Sequence, residues 1–418
     1  MTDGDRHAGE DVREGEARSQ STAEAFRPDP AGLRRGVELL TDRAVPGALP
    51  VEMPEVGVGG VAALEALAGP VLGGARSFGT PGFFAHMDPP TPWVSWVMAM
   101  WSASLNQNLL HEDTAPVARE IERRVVGWLA PLLGMNGGHM VPGSTVANLT
   151  ALWAAREAGA STVVAGPDAH ISVAKSAHIL GLHFRTTDWR DPGGLESAVA
   201  VITAGTTASG DIEALDAASG AAWRHVDAAW SGPLRLSPRH SHLLDGIENA
   251  DSVAVSAHKW LFQPKESALV LFRDPGSAHE SISFGASYLR SPNVGILGSH
   301  GASAVALMAT LVAYGRTGVV AWIDRCMDLA NRLAGLVDDH PDLELRSAPR
   351  SGIVCWRLRG ESPEETVSRV APEIGLSWTV IDGERWVRSV AANPMADPEL
   401  VISAVAGDKP LPSVSSQT

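Results

Sequence analysis

Cysteine and tyrosine are nearly absent from this 418-residue chain, with two of each. Cys326 and Cys355 lie far apart, in segments that read as helix and strand, so no disulfide framework is expected and a reducing cytoplasm is the natural setting. Neither thiol is needed for catalysis. No unbroken apolar run reaches the roughly 18 residues of a membrane helix. The N-terminus also lacks a basic segment followed by an apolar one, so neither a membrane nor an export signal is expected. Clustered Lys and Arg are missing too, and with a formal charge of −15 a nucleic-acid partner is disfavoured, because binding phosphate backbones takes concentrated positive charge. A small-molecule substrate is what these absences leave, and nothing calls for a metal.

What is present is an enzyme-sized globular composition, 44% hydrophobic and 19% charged, enough for one large domain and a smaller one. Residues 1–25 mix Asp, Glu, Arg, Gly and Ser with few large apolar side chains, the composition of a disordered acidic tail. Residues 410–418 read likewise. From Val117 to Leu133 apolar residues recur at helical spacing and stop at Gly134. Strand-like runs then alternate with helix-like stretches: Val163–Ala165, helix Ile171–Leu180, Ala198–Ile202, the stretch Ile212–Ala222, His225–Ala228, Val253–Ser256 and Ala268–Phe272. The alternation predicts an α/β fold with a mostly parallel central sheet, whose ligands sit at the carboxyl ends of the strands. After Gly318 the pattern becomes α+β: a helix Val319–Val337, a strand Ile353–Leu358, a helix Glu364–Ile374, a strand pair within Trp378–Val390 and a helix from Pro398. The domains are therefore read as 26–115, a helical segment; 116–317, the large domain; and 318–409, the small one.

Asp227 and Lys259 each close a strand-like run. An unpaired buried carboxylate is costly without a cationic partner, and a lysine in a desolvated site becomes a nucleophile. Together they are what pyridoxal phosphate requires: an amine to condense with its aldehyde and an anion for its pyridinium nitrogen. Gly143-Ser144-Thr145 feeds a helix N-terminus, where free amides, two hydroxyls and the helix dipole form a phosphate cradle. Alone, it reads more readily as an ordinary Ser/Thr N-cap, and its position upstream of Asp227 and Lys259 reverses that preference. His170 follows the Val163 strand and is placed to lie on the cofactor ring, although an isolated histidine there is better explained as a capping or surface residue. Thr207 ends another strand near the cofactor's phenolic oxygen, and Ala229 is small enough to let the ring approach the backbone.

From about Pro81 to Pro394 the chain resembles the group II pyridoxal-phosphate-dependent amino-acid decarboxylases, the aromatic amino acid, glutamate and cysteine-sulfinate group. The match rests on His225-Val226-Asp227-Ala228-Ala229-Trp230, Asp245 to Val253, and Ser256-Ala257-His258-Lys259 in collinear order. The resemblance implies fold type I and an obligate homodimer with active sites shared between subunits, the N-terminal segment lying at that interface. It further implies Ser144 and Thr145 on the phosphate, assisted by Ser256 and His258. His170 would stack on the ring, with Thr207 beside it, Asp227 on the pyridinium and Lys259 in the internal aldimine. His86 and Asn108 fall in segments that resemble the substrate pocket. Arg388 resembles the arginine that binds the substrate α-carboxylate, and Tyr288 the mobile-loop tyrosine that protonates the intermediate after carbon dioxide leaves. The implied reaction is decarboxylation of an L-amino acid to its amine.

Two departures mark this chain. Ser299-His300 stands where many members carry an arginine pair, after a short loop. Asp88 and Glu112 bring negative charge to the side-chain pocket, which suits a cationic or hydroxyl-rich substrate better than a glutamate-like one. The same cofactor residues would also serve a decarboxylation-dependent oxidative deaminase or a carbon–sulfur lyase acting on a cysteine conjugate. A catalytically silent cofactor-binding regulator is the reading of another class.

Overall fold

The computed structural model describes residues 26–42, 44–55, 57–371 and 373–407. The tails expected at 1–25 and 410–418 lie outside the described residues. Backbone packing separates the chain up to Ser77 from Phe78 onward. In the first unit Asp29 caps α1 (Pro30–Thr41), its carboxylate accepting the Ala31 amide at 3.0 Å. Arg35 of α1 reaches Glu65 of α2 (Gly60–Ala68) at 3.1 Å.

This division falls before the 115/116 boundary expected from sequence, because residues 78–115 are bonded into the second unit. The Phe84 amide donates to Gly375 O at 2.8 Å, and Phe84 O accepts from the Val390 amide at 2.7 Å. α3 (Trp93–Leu105) and α4 (Pro116–Leu129) follow.

A seven-stranded sheet forms the middle of this unit. Its strands are β1 (Gly137–Val141), β2 (Thr162–Ala165), β3 (His183–Thr186), β4 (Ala198–Thr203), β5 (Trp223–Asp227), β6 (Ser252–Ser256) and β7 (Ala268–Phe272), in the order β1-β7-β6-β5-β4-β2-β3. β3, β2, β4, β5 and β6 are parallel, and β7 is antiparallel to both β6 and β1. Two reversals restore direction, so β1 also points with the parallel five. The loops after β1, β2, β4, β5 and β6 therefore all leave at one edge. β4, β6 and β7 are buried along their whole length, as strands covered on both faces must be. The covering helices include α5 (Ser144–Glu157), which lies on β6 and β7, and α6 (Ile171–Leu180) beside it. α7 (Pro275–Ser281) precedes the two-residue strands β8 (Ser283–Phe284) and β9 (Asn293–Val294). The stretch Ile212–Ala222, expected to be helix-like, is irregular, with Ala218 at a left-handed φ of 61°.

The 317/318 boundary falls just beyond Gly315 (φ 62°, ψ 179°), where α8 (Ser303–Asp338) leaves helical geometry and two helical stretches meet at a kink. Among the described residues α8 is long and apolar enough, with mean hydropathy 1.5, to cross a membrane, a composition that a search for unbroken apolar runs passes over. Here Leu307 and Ile323 pack in the core of the large sheet, and Leu329 and Leu333 in that of a second sheet. That sheet is antiparallel, β10 (Leu343–Leu345), β11 (Ile353–Leu358), β12 (Ser377–Ile381) and β13 (Glu384–Val390), ordered β10-β11-β13-β12. α9 (Pro363–Val370) and α10 (Pro398–Ala406) complete it. α9 starts at a Ser362/Glu365 capping box and ends at Val370, short of the expected Ile374.

Candidate active site

Five strand-end loops converge on a cavity of about 210 Å³. Ser144, Thr145, His170, Thr207, Asp227, Ala229, Ser256, His258 and Lys259 all line it, joined by Gly143, Thr203, Gly205 and Trp230. Gly205 must be glycine: its φ is 98°, and a Cβ there would meet Ser231 Oγ at 2.4 Å.

Asp227 is 5% exposed. Its Oδ1 accepts the Ala229 amide at 3.1 Å and its Oδ2 accepts Asn148 Nδ2 at 2.7 Å. Both donors are neutral, so the carboxylate is satisfied in hydrogen bonds but not in charge. Lys259 lies in the turn after β6, the strand next to β5. Burial pulls its ammonium below the ordinary 10.5, with the field of Asp227 opposing and that of Arg388 adding to the effect. Desolvation thus favours the free amine, the nucleophilic form.

On the other side of the cavity, α5 begins without a side-chain cap. The amides of Ser144 and Thr145 belong to its first turn, which has no intrahelical partners. Ser144 Oγ and His258 Nδ1 are buried and have no hydrogen-bond partner. The other ring nitrogen, His258 Nε2, bonds Ser256 Oγ at 3.0 Å, and burial pushes the imidazole down to about 4. Open amides, a helix N-terminus and orphaned donors are what an anion requires. The N-cap alternative for Ser144 does not apply here, since Ser144 is itself the first helical residue.

His170 combines both of its sequence readings. It is the N-cap of α6, its Nδ1 accepting the Ser172 amide at 3.2 Å, and its ring also lines the cavity. Behind it runs a buried chain of polar groups on Asn148, Ser172, His225 and Ser252, each at most 1% exposed. Sequence reading names only His225 of these, as part of the run that reaches Asp227, and gives none of them a role. The one signal was the amide side chain of Asn148, one turn beyond Ser144 on a helix whose buried positions are mostly Ala and Leu.

The structure does not bring His86, Asn108, Tyr288 or Arg388 among the residues lining this cavity. His86 is exposed. Asn108 is held by Ser299, at 3.0 Å, and by the Leu110 amide, so the serine of the unusual Ser299-His300 pair takes a structural bond. Tyr288 is 71% exposed on the loop between β8 and β9, its ring 6.4 Å from that of His111. Arg388, on β13, is 9% exposed; among the described residues its guanidinium makes long contacts of 3.4 Å to Ala85 O and Ser377 Oγ and leaves its buried Nε unpartnered. Its pKa is lowered to about 10 by burial, so it stays cationic at neutral pH. Asp88 pairs with Lys265, and its charge is felt at Lys259, His258 and Arg388. Glu112 is taken up by Ser291 and Arg119.

The profile of the pyridoxal-dependent decarboxylase conserved domain matches residues 69–359. The chain is 30% identical to L-2,4-diaminobutyrate decarboxylase of Rhizobium meliloti, over 84% of this chain and 81% of that one. It is 28% identical to phenylacetaldehyde synthase of Arabidopsis thaliana, over 71% and 72%. The crystal structure of Oryza sativa TDC with PLP and tryptamine superposes with a TM-score of 0.77 at 19% identity, covering 95% of this chain and 98% of that one. At that identity the likeness is one of fold, and the fold is type I.

Proposed function

The chain belongs to the pyridoxal-dependent decarboxylase family, and from that membership we propose that it decarboxylates an L-amino acid with a cationic side chain, releasing the amine. It is a pyridoxal-phosphate-dependent carboxy-lyase acting on amino acids. The cofactor, when bound, supplies an electron sink for the carbanion left by departing carbon dioxide. In our reading Lys259 holds its aldehyde carbon, Asp227 its ring nitrogen and His170 a face of its ring. Ser144, Thr145, Ser256 and His258 hold its phosphate, with Thr207 and Ala229 against the ring.

The observation that carries the reading is Arg388: a buried guanidinium with an unpartnered Nε, within electrostatic reach of Lys259. Such a group is poised for a carboxylate, which it grips in a planar fork. The negative charge of Asp88 supports a substrate ammonium, which would compete with Lys265 for it. The similarity to an L-2,4-diaminobutyrate decarboxylase points the same way. Tyr288 supplies the proton that ends the reaction as amine. Because it is exposed and away from the cavity of its own chain, it serves the site of a second copy, in a homodimer. Exposed Trp93, Trp96, Met100 and Trp101 on α3 provide an apolar face for that association. The two buried, unpaired cysteines suit a cytoplasmic location.

Incubating the protein with diamino acids, glutamate and aromatic amino acids, and measuring amine, carbon dioxide, ammonia, peroxide and thiol separately, tests this. Amine and carbon dioxide from a short diamino acid are expected. Preference for glutamate would remove the role given to Asp88, while peroxide with aldehyde, or thiol, from the wild type would favour the oxidative or carbon–sulfur reading. Mixing Lys259→Ala with Tyr288→Phe should restore amine formation that neither variant shows alone. Absence of complementation between folded variants would place Tyr288 in its own chain's site.

A further inference from the structure

The buried polar chain behind the cavity has a direction that elementary donor and acceptor counting fixes. Trp223 Nε1, which can only donate, reaches Ser252 Oγ at 2.8 Å. Ser252 Oγ lies 2.9 Å from His225 Nδ1, and His225 Nε2 lies 3.0 Å from Asn148 Oδ1. Asn148 Nδ2 donates twice, to Asp227 Oδ2 at 2.7 Å and to Ser172 Oγ at 2.9 Å. Ser172 Oγ is 2.7 Å from His170 Nδ1.

Counted over the side-chain partners, one assignment satisfies every member. Asn148 must present its NH₂ to Asp227, since turning its oxygen there would set lone pairs against a carboxylate. Its oxygen therefore faces His225, whose Nε2 must carry the proton. Ser252, already accepting from the indole, gives its hydroxyl proton to His225 Nδ1. A protonated His225 would strand that hydroxyl proton in a buried place. At the far end His170 Nδ1 also accepts the Ser172 amide at 3.2 Å, so it carries no proton and the Ser172 hydroxyl donates to it. The proton of neutral His170 is then on Nε2.

We propose that Asn148 and His225 are positioning residues: through the two N–H bonds of one carboxamide they aim the Asp227 carboxylate and fix His170 as its Nε2–H tautomer. The inference rests on the reading that Asp227 and His170 face the cofactor. It adds that the two contacts are set by one device, whose polarity originates at the indole of Trp223. Burial holds both histidines below their ordinary 6.5, in keeping with neutral rings.

The test starts with the apo-protein. Nitrogen-15 NMR of the imidazoles should find Nε2–H, with a free Nδ1, at both His170 and His225. An Nδ1–H tautomer at His170, or a protonated His225 at neutral pH, overturns the proposal without any variant. Asn148→Leu should release His170 into mixed tautomers and weaken pyridoxal phosphate binding by about tenfold to a hundredfold, the range for outer partners that orient a ligand. The pH at which the bound cofactor's absorbance changes should shift as well. His225→Gln, whose amide can donate to Asn148 and accept from Ser252, should restore the His170 tautomer, and His225→Leu should not. A folded Asn148→Leu with unchanged tautomer, affinity and spectral pH profile sinks the idea. Borohydride labelling of Lys259 keeps the outcomes apart: label present with the wrong tautomer refutes only the relay, and label absent refutes the cofactor reading beneath it.

Discussion

The two sides of the cavity differ in how much they ask of a ligand. On the Asp227 side both carboxylate oxygens are bonded, and the groups behind them are paired through to Trp223. On the Gly143 side Ser144 Oγ and His258 Nδ1 are buried with nothing to bond. The Asp227 carboxylate is fully bonded in the bare protein, although Thr203 Oγ1 on the neighbouring strand is buried without a partner, and the other side is completed by an anion. Pre-organisation of the first keeps a buried charge aimed before anything binds, while the open valences of the second place binding energy where a phosphate arrives. Variants on the Asp227 side should therefore disturb the protein itself, and variants on the Gly143 side should act only through what it binds.

The largest effect is expected at Asp227. Its replacement by Ala removes the buried charge that side presents, so turnover should fall by orders of magnitude in cofactor-loaded protein, as when one member of a catalytic unit is lost. Near-normal kcat would separate Asp227 from the ring nitrogen. Lys259 should be the residue that carries cofactor after borohydride reduction and peptide mapping, and a label on another lysine would move the site.

Acid should distinguish the two sides next. His139, His225 and His258 are pushed down to about 3, 4 and 4 by burial, from an ordinary 6.5. A histidine whose folded value is depressed stays proton-free while the unfolded chain takes protons, so stability is full above about pH 6.5 and is lost as the pH falls toward 4. Thermal melts of the apo-protein should show that loss. Bound phosphate beside His258 favours its charged form and should flatten the descent in the loaded enzyme. Identical acid limbs with and without cofactor would break the assignment of His258 to the phosphate.

Arg388→Lys tests an open valence of a third kind, one kept for substrate. Replacing the planar fork with a point charge should cost about 1.5–3 kcal/mol, or roughly tenfold to a hundredfold, in kcat/KM. The cofactor spectrum should stay unchanged. Unaltered kinetics would leave the orphaned Nε without explanation.

The Asp227 side was the harder one to read from sequence. Asp227 and Lys259 announce themselves as polar residues that end apolar strands, and Gly143-Ser144-Thr145 as a turn before a helix, all local patterns. Asn148 meets His225 and Asp227 across 77 and 79 residues, and a lone asparagine within a helix carries no local mark of such partners. β1 escaped for a similar reason, since its glycines, Gly137 and Gly138, hide a strand that exists by pairing with β7. The 115/116 boundary differs from the division at Ser77 because tertiary bonds override composition, the Phe84 amide tying that stretch to Gly375, whereas the 317/318 boundary lies beside the kink at Gly315 in α8, which serves both cores. Tyr288 was legible as a residue type near a loop, but its 71% exposure depends on where the two-residue strands β8 and β9 hold that loop.

The smallest effect sharpens the comparison most. Ser144 Oγ has no partner in the bare protein, so Ser144→Ala removes a group that contributes nothing there, and the melting point of the apo-protein should stay within the equivalent of about 0.5 kcal/mol. Asn148→Ala, by contrast, leaves Asp227 Oδ2 and His225 Nε2–H unsatisfied in a buried place and should cost the apo-protein about 2–3 kcal/mol. Adding cofactor should reverse the silence of Ser144. One missing hydrogen bond to a charged phosphate weakens binding by about 1.5–3 kcal/mol, read as a smaller rise in melting point on saturation. Should Ser144→Ala destabilise the apo-protein as much as Asn148→Ala does, its hydroxyl has a partner after all, and the two sides of the cavity are not different in kind.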